Sequence, residues 1–308
     1  MLSVAAGLWL LLAGAFLAAL LVHLGSVLPG GLFQELIRYG KTQSGVVRPW
    51  GRLPAAHRAY HFPKRWFSHF YFVSVVWNGF LLLLLGRALF SKVPFPAWLQ
   101  AVLRALNKES EYQNLGAELS VFLVLELLWL HSVRRLMECL FLSVFSPGVI
   151  HLVQYCFGLG YYVILGLTVL SQVSLEVSTV SLSDLVDQAR WHQILGILIY
   201  IWASCHQFHC HVILASLRRS KSGEVVNLDH SVPYGDWFES VSCPHYFAEL
   251  LIYVAMGVTF GGWNLTWWLV VLYVLFNQAL AAVLCHEFYQ RNFISYPKHR
   301  KALIPFLF

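Results

Sequence analysis

Charged side chains are scarce in this chain: Asp, Glu, Lys and Arg make up 12% of its 308 residues, about half the roughly 25% of an ordinary soluble domain. No stretch between its apolar segments is long enough to bury a core of its own. The whole of 1–308 therefore reads as one membrane-embedded domain and not as a string of soluble ones. Six cysteines (139, 156, 205, 210, 243 and 285) lie mostly inside apolar segments, which argues against a scaffold of loop disulfides. No Gly-x-Gly-x-x-Gly follows a strand, and no Gly-x-x-x-x-Gly-Lys-Ser/Thr occurs. Any nucleotide site must then be built from helix ends and loops instead of a Rossmann or P-loop unit. Internal repeats and low-complexity runs are also missing. The net charge of +6 could suggest nucleic acid, but an aromatic-rich, charge-poor chain argues against it, and positive charge serves equally as a topology signal. No obligate protein partner is evident.

What the chain does contain is apolar sequence, 58% of its residues. A helix needs roughly 20 mostly apolar residues to cross a bilayer. Seven segments qualify, near 4–24, 66–90, 119–144, 149–173, 193–217, 246–263 and 265–285. The expected fold is all-α, a polytopic transmembrane helical bundle of about seven spans. The first segment has no basic leader, and its apolar run exceeds the about 7–15 residues of a signal-peptide core, so it reads as an uncleaved helix. The last two are separated only by Asn264 and its neighbours, which predicts a tight hairpin. With seven spans, sixteen Lys and Arg fall on one side of the membrane and five on the other. The positive-inside rule then puts the N-terminus on the lumenal side and the C-terminus in the cytosol. The sequon Asn264-Leu-Thr266 falls in the lumenal hairpin.

Ionisable groups within spans are costly unless they face a cavity or a partner, which makes them functional candidates. In the third segment His131, Arg135 and Glu138 share a helical face, as a basic wall for a phosphate-bearing ligand would need. A helix end snorkelling into headgroups explains the same pattern. In the fifth, Cys205-His-Gln-Phe-His-Cys-His211 suggests a metal site. Zinc ligands usually come from two elements, and no second cluster is visible, so no metal is expected. Gln207, His211 and Arg218 lie within roughly 40° of one another on a helix, a polar stripe ending in cytosolic arginine. That stripe suits a long nucleotide, or plain helix–helix hydrogen bonding. After the seventh segment, His286 and Tyr289 share a face, followed by a basic, aromatic tail that would also serve as an interfacial anchor.

Three stretches carry more than composition. They are the tail Tyr296-Pro-Lys-x-Arg-Lys-Ala-Leu-Ile-Pro-Phe-x-Phe308 with His286-x-Phe-Tyr289 before it, the loop Pro233-x-Gly235-x-x-Phe238-x-x-Val241-Ser242, and Phe33-Gln34-Glu35-Leu36. Together they resemble the steroid 5-alpha-reductase family. Phe62-Pro-Lys-Arg-Trp-Phe-Ser-His-Phe-Tyr71, His151-Leu-Val-Gln-Tyr-Cys-Phe-Gly158 and Asn264-Leu-Thr-Trp-Trp-Leu-Val-Val271 resemble the branch of that family that works on polyisoprenoid lipids. The resemblance implies a multi-pass enzyme of the endoplasmic reticulum membrane that uses NADPH. It would reduce the α-isoprene double bond of a polyprenol-derived lipid in dolichol synthesis, supporting N-glycosylation, and could act on 3-oxo-4-ene steroids as well. It also implies cofactor roles for Arg135, His211, Arg218, His245, Glu249 and Tyr289, to which the polar stripe adds Gln207, and a substrate-facing role for Glu35. His211 and His245 stand where the family has an aspartate and an asparagine. A family tyrosine that polarises substrate aligns with Ser132, and His286 is the candidate substitute for proton donor, the rival of Glu35. Hydride addition needs an electron-poor double bond, so the expected immediate substrate is the aldehyde polyprenal, giving dolichal, and not the alcohol. A buried carboxyl group can stay protonated and donate to that aldehyde oxygen. An isoprenylcysteine methyltransferase-like enzyme and a non-enzymatic transporter are the rival readings, though polar stripes ending on one side argue against a through-path.

Overall fold

The computed structural model describes residues 2–26, 32–38, 42, 60–91, 93–107, 118–173, 182–220 and 222–308, with the side chains of 32, 35, 182 and 183 outside that description. Its helices are α1 (Val4–Leu24), α2 (Leu32–Ile37), α3 (Ser68–Ser91), α4 (Ala97–Leu106), α5 (Glu118–Met137), α6 (Leu152–Leu170), α7 (Leu182–Asp187), α8 (Trp191–Ser216), α9 (Pro244–Thr259) and α10 (Leu265–Asn292). Two short strands, β1 (His61–Pro63) and β2 (Val149–His151), pair antiparallel with Phe62 opposite Ile150. The fold is thus helical, as expected, with a small sheet that hydropathy did not reveal.

Five helical segments are long and apolar enough to cross a membrane: Val4–Leu24, Lys64–Ser91, Leu152–Leu170, Trp191–Ser216 and Leu265–Asn292. The other two expected spans form helices, but with different character. α5 carries Glu118, Glu126, Arg134 and Arg135. α9 has 16 residues, about 24 Å at 1.5 Å each, short of a hydrocarbon core of about 30 Å.

Several boundaries move for local reasons. The fourth segment does not begin as helix at 149, because Val149–His151 pairs with β1. His151 then caps α6, its ring accepting from Val153 N at 3.2 Å while Gln154 Oε1 accepts from His151 N at 3.2 Å. The sixth ends at Thr259, where Gly261 and Gly262 take φ of +97° and +82°, a conformation that favours glycine. The expected hairpin follows, with Asn264 capping α10 by accepting from Trp267 N at 2.9 Å. Asn264 also donates to Gln172 at 3.1 Å, which engages the sequon side chain inside the fold. α10 runs seven residues past the expected end at 285, so His286 and Tyr289 are still helical.

Helix pairs α8–α9, α1–α10, α3–α5 and α3–α6 make the bundle. Close approach depends on small residues, as is common between membrane helices. A Cβ at Gly196 of α8 would lie 2.2 Å from Thr259 Oγ1 and 2.7 Å from Ala255 O. Trp9 of α1 is fully buried, and its Nε1 donates to Thr168 Oγ1 of α6 at 3.0 Å. That bond satisfies the only polar atom of a side chain otherwise packed on Tyr161 and Tyr273.

Candidate active site

Between the helices lies a cavity of about 470 Å³ with two contrasting walls. One wall is polar: Arg135 from α5, Gln207 and His211 from α8, and His245 and Glu249 from α9. The other is aromatic, with Tyr71, Tyr161, Tyr162, Tyr253 and Tyr273 reaching it from four helices and Phe16, Phe67, Phe70 and Phe157 continuing it. Leu36 and Ile37 of α2 also border it.

The polar wall is a linked network. Arg134 donates to Glu138 Oε1 at 2.5 Å and to Gln207 Oε1 at 2.5 Å. Gln207 Nε2 passes the chain on to Glu249 Oε2 at 2.5 Å and to the carbonyl of His245 at 3.2 Å. His131 Nε2 lies 3.3 Å from Glu249 Oε1. Arg135 pairs with Glu138, whose Oε2 is 2.7 Å from His211 Nδ1. The expected basic wall is therefore charge-balanced, two guanidinium groups against two carboxylates. Burial explains this, since an unpaired charge in such surroundings is strongly disfavoured. Arg135 Nε also donates to the Tyr71 hydroxyl at 3.3 Å, joining the two walls.

Five of the seven expected cofactor residues thus meet in one cavity: Arg135, Gln207, His211, His245 and Glu249. The other two do not border it. Arg218, just past α8, donates to Val144 O at 2.5 Å, and burial lowers its pKa from the ordinary arginine value. Tyr289 is buried and stacks on Tyr296 at 5.4 Å between ring centres. His286 does not border the cavity either. Its Nδ1 is 2.5 Å from Ser242 Oγ and its Nε2 is 2.8 Å from Gln290. Ser242 in turn meets the Tyr296 hydroxyl at 2.5 Å, so His286 sits in the cluster that docks the tail. The backbone of Glu35 belongs to α2, and its side chain lies outside the described residues.

Ser132, expected from the resemblance to stand at the family's tyrosine position, is buried and shares a 2.6 Å hydrogen bond with Ser74 of α3. In the cysteine- and histidine-rich stretch, His206 stacks on Trp237 at 4.1 Å and reaches Asp236 Oδ2 at 3.2 Å. Among the described residues, no group of three or more His, Cys, Asp or Glu has a metal-binding arrangement. Sequence reasoning passed over the five tyrosines and over Asn277 and Gln278 of α10, which also line the cavity. The usable signal for the latter pair was two adjacent amides in the middle of an apolar span.

A helical bundle with five membrane-length apolar helices, enclosing a cavity lined by both polar and aromatic side chains, is the architecture of a membrane protein with room for a ligand polar in one part and apolar in another. Residues 150–308 match the family model for 3-oxo-5-alpha-steroid 4-dehydrogenase. The chain belongs to this steroid 5-alpha-reductase family, and it is an oxidoreductase acting on carbon–carbon double bonds. More particular relatives are polyprenal reductases. That of Xenopus tropicalis is 61% identical over 306 residues, covering 97% of this chain and 98% of the relative. The human protein is 57% identical over 305 residues, covering 97% and 94%. The Danio rerio protein is 49% identical over 310 residues, covering 99% and 98%. Membership of this family removes the methyltransferase and transporter readings.

Proposed function

We propose that this chain reduces the α-isoprene double bond of polyprenal, giving dolichal for dolichol synthesis, with NADPH as reductant. The supporting observation is the two-walled cavity, together with full-length relatives named for polyprenal reduction. The proposed setting is the endoplasmic reticulum membrane, with seven spans, a lumenal N-terminus and a cytosolic C-terminus. In that arrangement α5 and α9 complete the crossing, their polar groups facing inward on the cavity.

The polar wall has the right donor set for the cofactor. Arg135, His211 and His245 supply donors and Glu249 an acceptor, matching a carboxamide and ribose that both donate and accept, while Gln207 holds Glu249 in place. Arg218 and Arg219, at the end of α8, supply cations for phosphates. Tyr289, beside Arg218, holds that end of the site together with the tail. When bound, NADPH would supply a hydride equivalent. The chain's own part is to hold the lipid aldehyde so that charge developing on its oxygen meets a donor. Glu35 is the proposed donor, because its neighbours Leu36 and Ile37 border the cavity. His286 is the rival, and its bonds to Ser242 and Gln290 count against it. The aromatic wall suits an isoprenoid tail, which asks for apolar surface and no specific polar partner.

A second activity, on 3-oxo-4-ene steroids, is favoured by the description of the matching family model. Such steroids carry the same conjugated carbonyl. The deciding assay follows NADPH oxidation by purified protein given polyprenal or polyprenol separately. Turnover of the aldehyde alone supports the proposal. Efficient turnover of the alcohol with no dehydrogenase present overturns it.

A further inference from the structure

The aromatic wall contains two polar side chains that the cofactor reading does not use. Asn277 and Gln278 are consecutive residues of α10, in one of the five helices long and apolar enough to span a membrane. Both line the cavity, one turn beyond Tyr273 and Val274, which line it too. Neither amide makes a hydrogen bond with any of the described residues, although nearly every other polar group on the cavity is engaged. Consecutive helical residues do not face each other, so the two amides cannot satisfy one another.

A primary amide taken out of water with no partner is disfavoured, most of all within a membrane span. Helix packing does not account for the pair. The α1 side chains that border the cavity are Ala15, Phe16 and Ala19, with no polar atom among them. Nor do the amides belong to the polar wall, whose residues come from α5, α8 and α9 and bond among themselves. What remains is an apolar, aromatic pocket with two neutral amides presented to its contents. Such a pocket fits a molecule that is hydrocarbon over most of its length and carries one oxygen at its head.

We infer that Asn277 and Gln278 form the head-group subsite of this cavity, their side-chain N–H groups donating to the oxygen of an isoprenoid aldehyde. This deepens the function proposed above and rests on it for the identity of the lipid. Neutral donors suit the task. They hold a carbonyl oxygen, and continue to hold it as negative charge develops, without giving up a proton. They also set specificity, because a hydrocarbon in this cavity would leave both amides unpaired.

The test uses full-length protein in detergent, with the double variant Asn277→Leu/Gln278→Met and each single substitution. Both replacements are apolar and close in volume, which a membrane helix accepts; the singles report if the double variant is not recovered. Tryptophan fluorescence gives the affinity for polyprenal and for a polyprene hydrocarbon of equal length without the oxygen, and NADPH affinity is measured separately. Wild-type protein is expected to prefer the aldehyde by about 10–100-fold, the range for two hydrogen bonds. The double variant loses that preference, each single variant loses part of it, affinity for the hydrocarbon does not fall, and affinity for NADPH stays unchanged. The inference is overturned if the variants keep the preference, if wild-type protein has none, or if the variants lose NADPH binding instead. Wild-type protein that prefers the aldehyde yet does not reduce it would sink the proposed function and leave the subsite standing. Normal turnover of polyprenal by the double variant, with aldehyde preference intact, would sink the subsite alone.

Discussion

Gln207 of α8 donates through Nε2 to Glu249 Oε2 of α9 at 2.5 Å, and accepts through its own Oε1 from Arg134 of α5 at 2.5 Å. One amide thereby connects three helices and spends both its donor and its acceptor. Because the connection is buried, losing either partner strands a polar group, which is the expensive failure for a buried hydrogen bond.

Substitution at Glu249 should separate shape from charge. Glu249→Ala leaves Gln207 and His131 without their shared acceptor and is expected to destabilise the protein by about 3–5 kcal/mol. Glu249→Gln keeps an acceptor oxygen and should cost less than half of that. Thermal unfolding in detergent, with and without NADPH, provides the measurement. Equal melting temperatures for the two variants would show that the carboxylate network carries little of the fold.

Arg135 touches both walls, pairing with Glu138 and donating to Tyr71 at 3.3 Å. A lysine keeps the charge but not the planar fork needed for two partners at different angles. Arg135→Lys is expected to weaken NADPH affinity by about tenfold or more. Titration of protein fluorescence with NADPH checks this; wild-type affinity in the lysine variant would mean that charge alone suffices.

At Gly196 the issue is space. A Cβ there would overlap Thr259 Oγ1 and crowd the Ala255 carbonyl, so Gly196→Ala should destabilise by about 1–3 kcal/mol through overpacking. Thr259→Ala removes the nearest of the three clashing atoms and should recover part of the loss. Denaturation of the single and double variants tests the pairing, and no recovery in the double variant would place the strain on the backbone atoms Ala255 O and Thr259 N.

The two proposed proton donors predict different defects. Glu35→Gln keeps a hydrogen-bond donor but no transferable proton, and should lower kcat for polyprenal by about 10²–10⁴-fold, the usual contribution of a general acid, with NADPH binding retained. His286→Ala breaks the contact with Ser242 that helps to dock Tyr296 and the tail. It should therefore lower thermal stability and NADPH affinity together. Single-turnover measurements beside cofactor titrations distinguish the two, and a pure kcat defect at His286 would reverse the assignment.

How much of this was legible beforehand differs between elements. Apolar runs marked every long helix, because a span must satisfy all its backbone groups internally and cover itself with hydrocarbon. Hydropathy said nothing of β1 and β2, whose three-residue pairing depends on segments almost ninety residues apart. The paired charges of α5 were visible as a shared helical face, but read from one helix they formed a basic wall. Only the structure shows how they are balanced: Arg134 and Arg135 both pair with Glu138, and Glu249 of α9 adds a second carboxylate, linked through Gln207 and His131.

The same division holds for the site. Motif and tail residues in the linear order of the chain determined the family, the class of reaction and five of the residues that line the cavity, since those side chains are tied to local sequence. Their meeting in one cavity was decided by the tertiary structure, as was the placement of His286 with Ser242 in the tail cluster instead. Tertiary structure alone also singled out Asn277 and Gln278. Two amides in an apolar run are ambiguous by themselves, and become informative only when the neighbouring helices provide them with a cavity and, among the described residues, no partner. The physical reason is that periodicity records which face of a helix is buried, whereas function depends on what the other helices bring to that face.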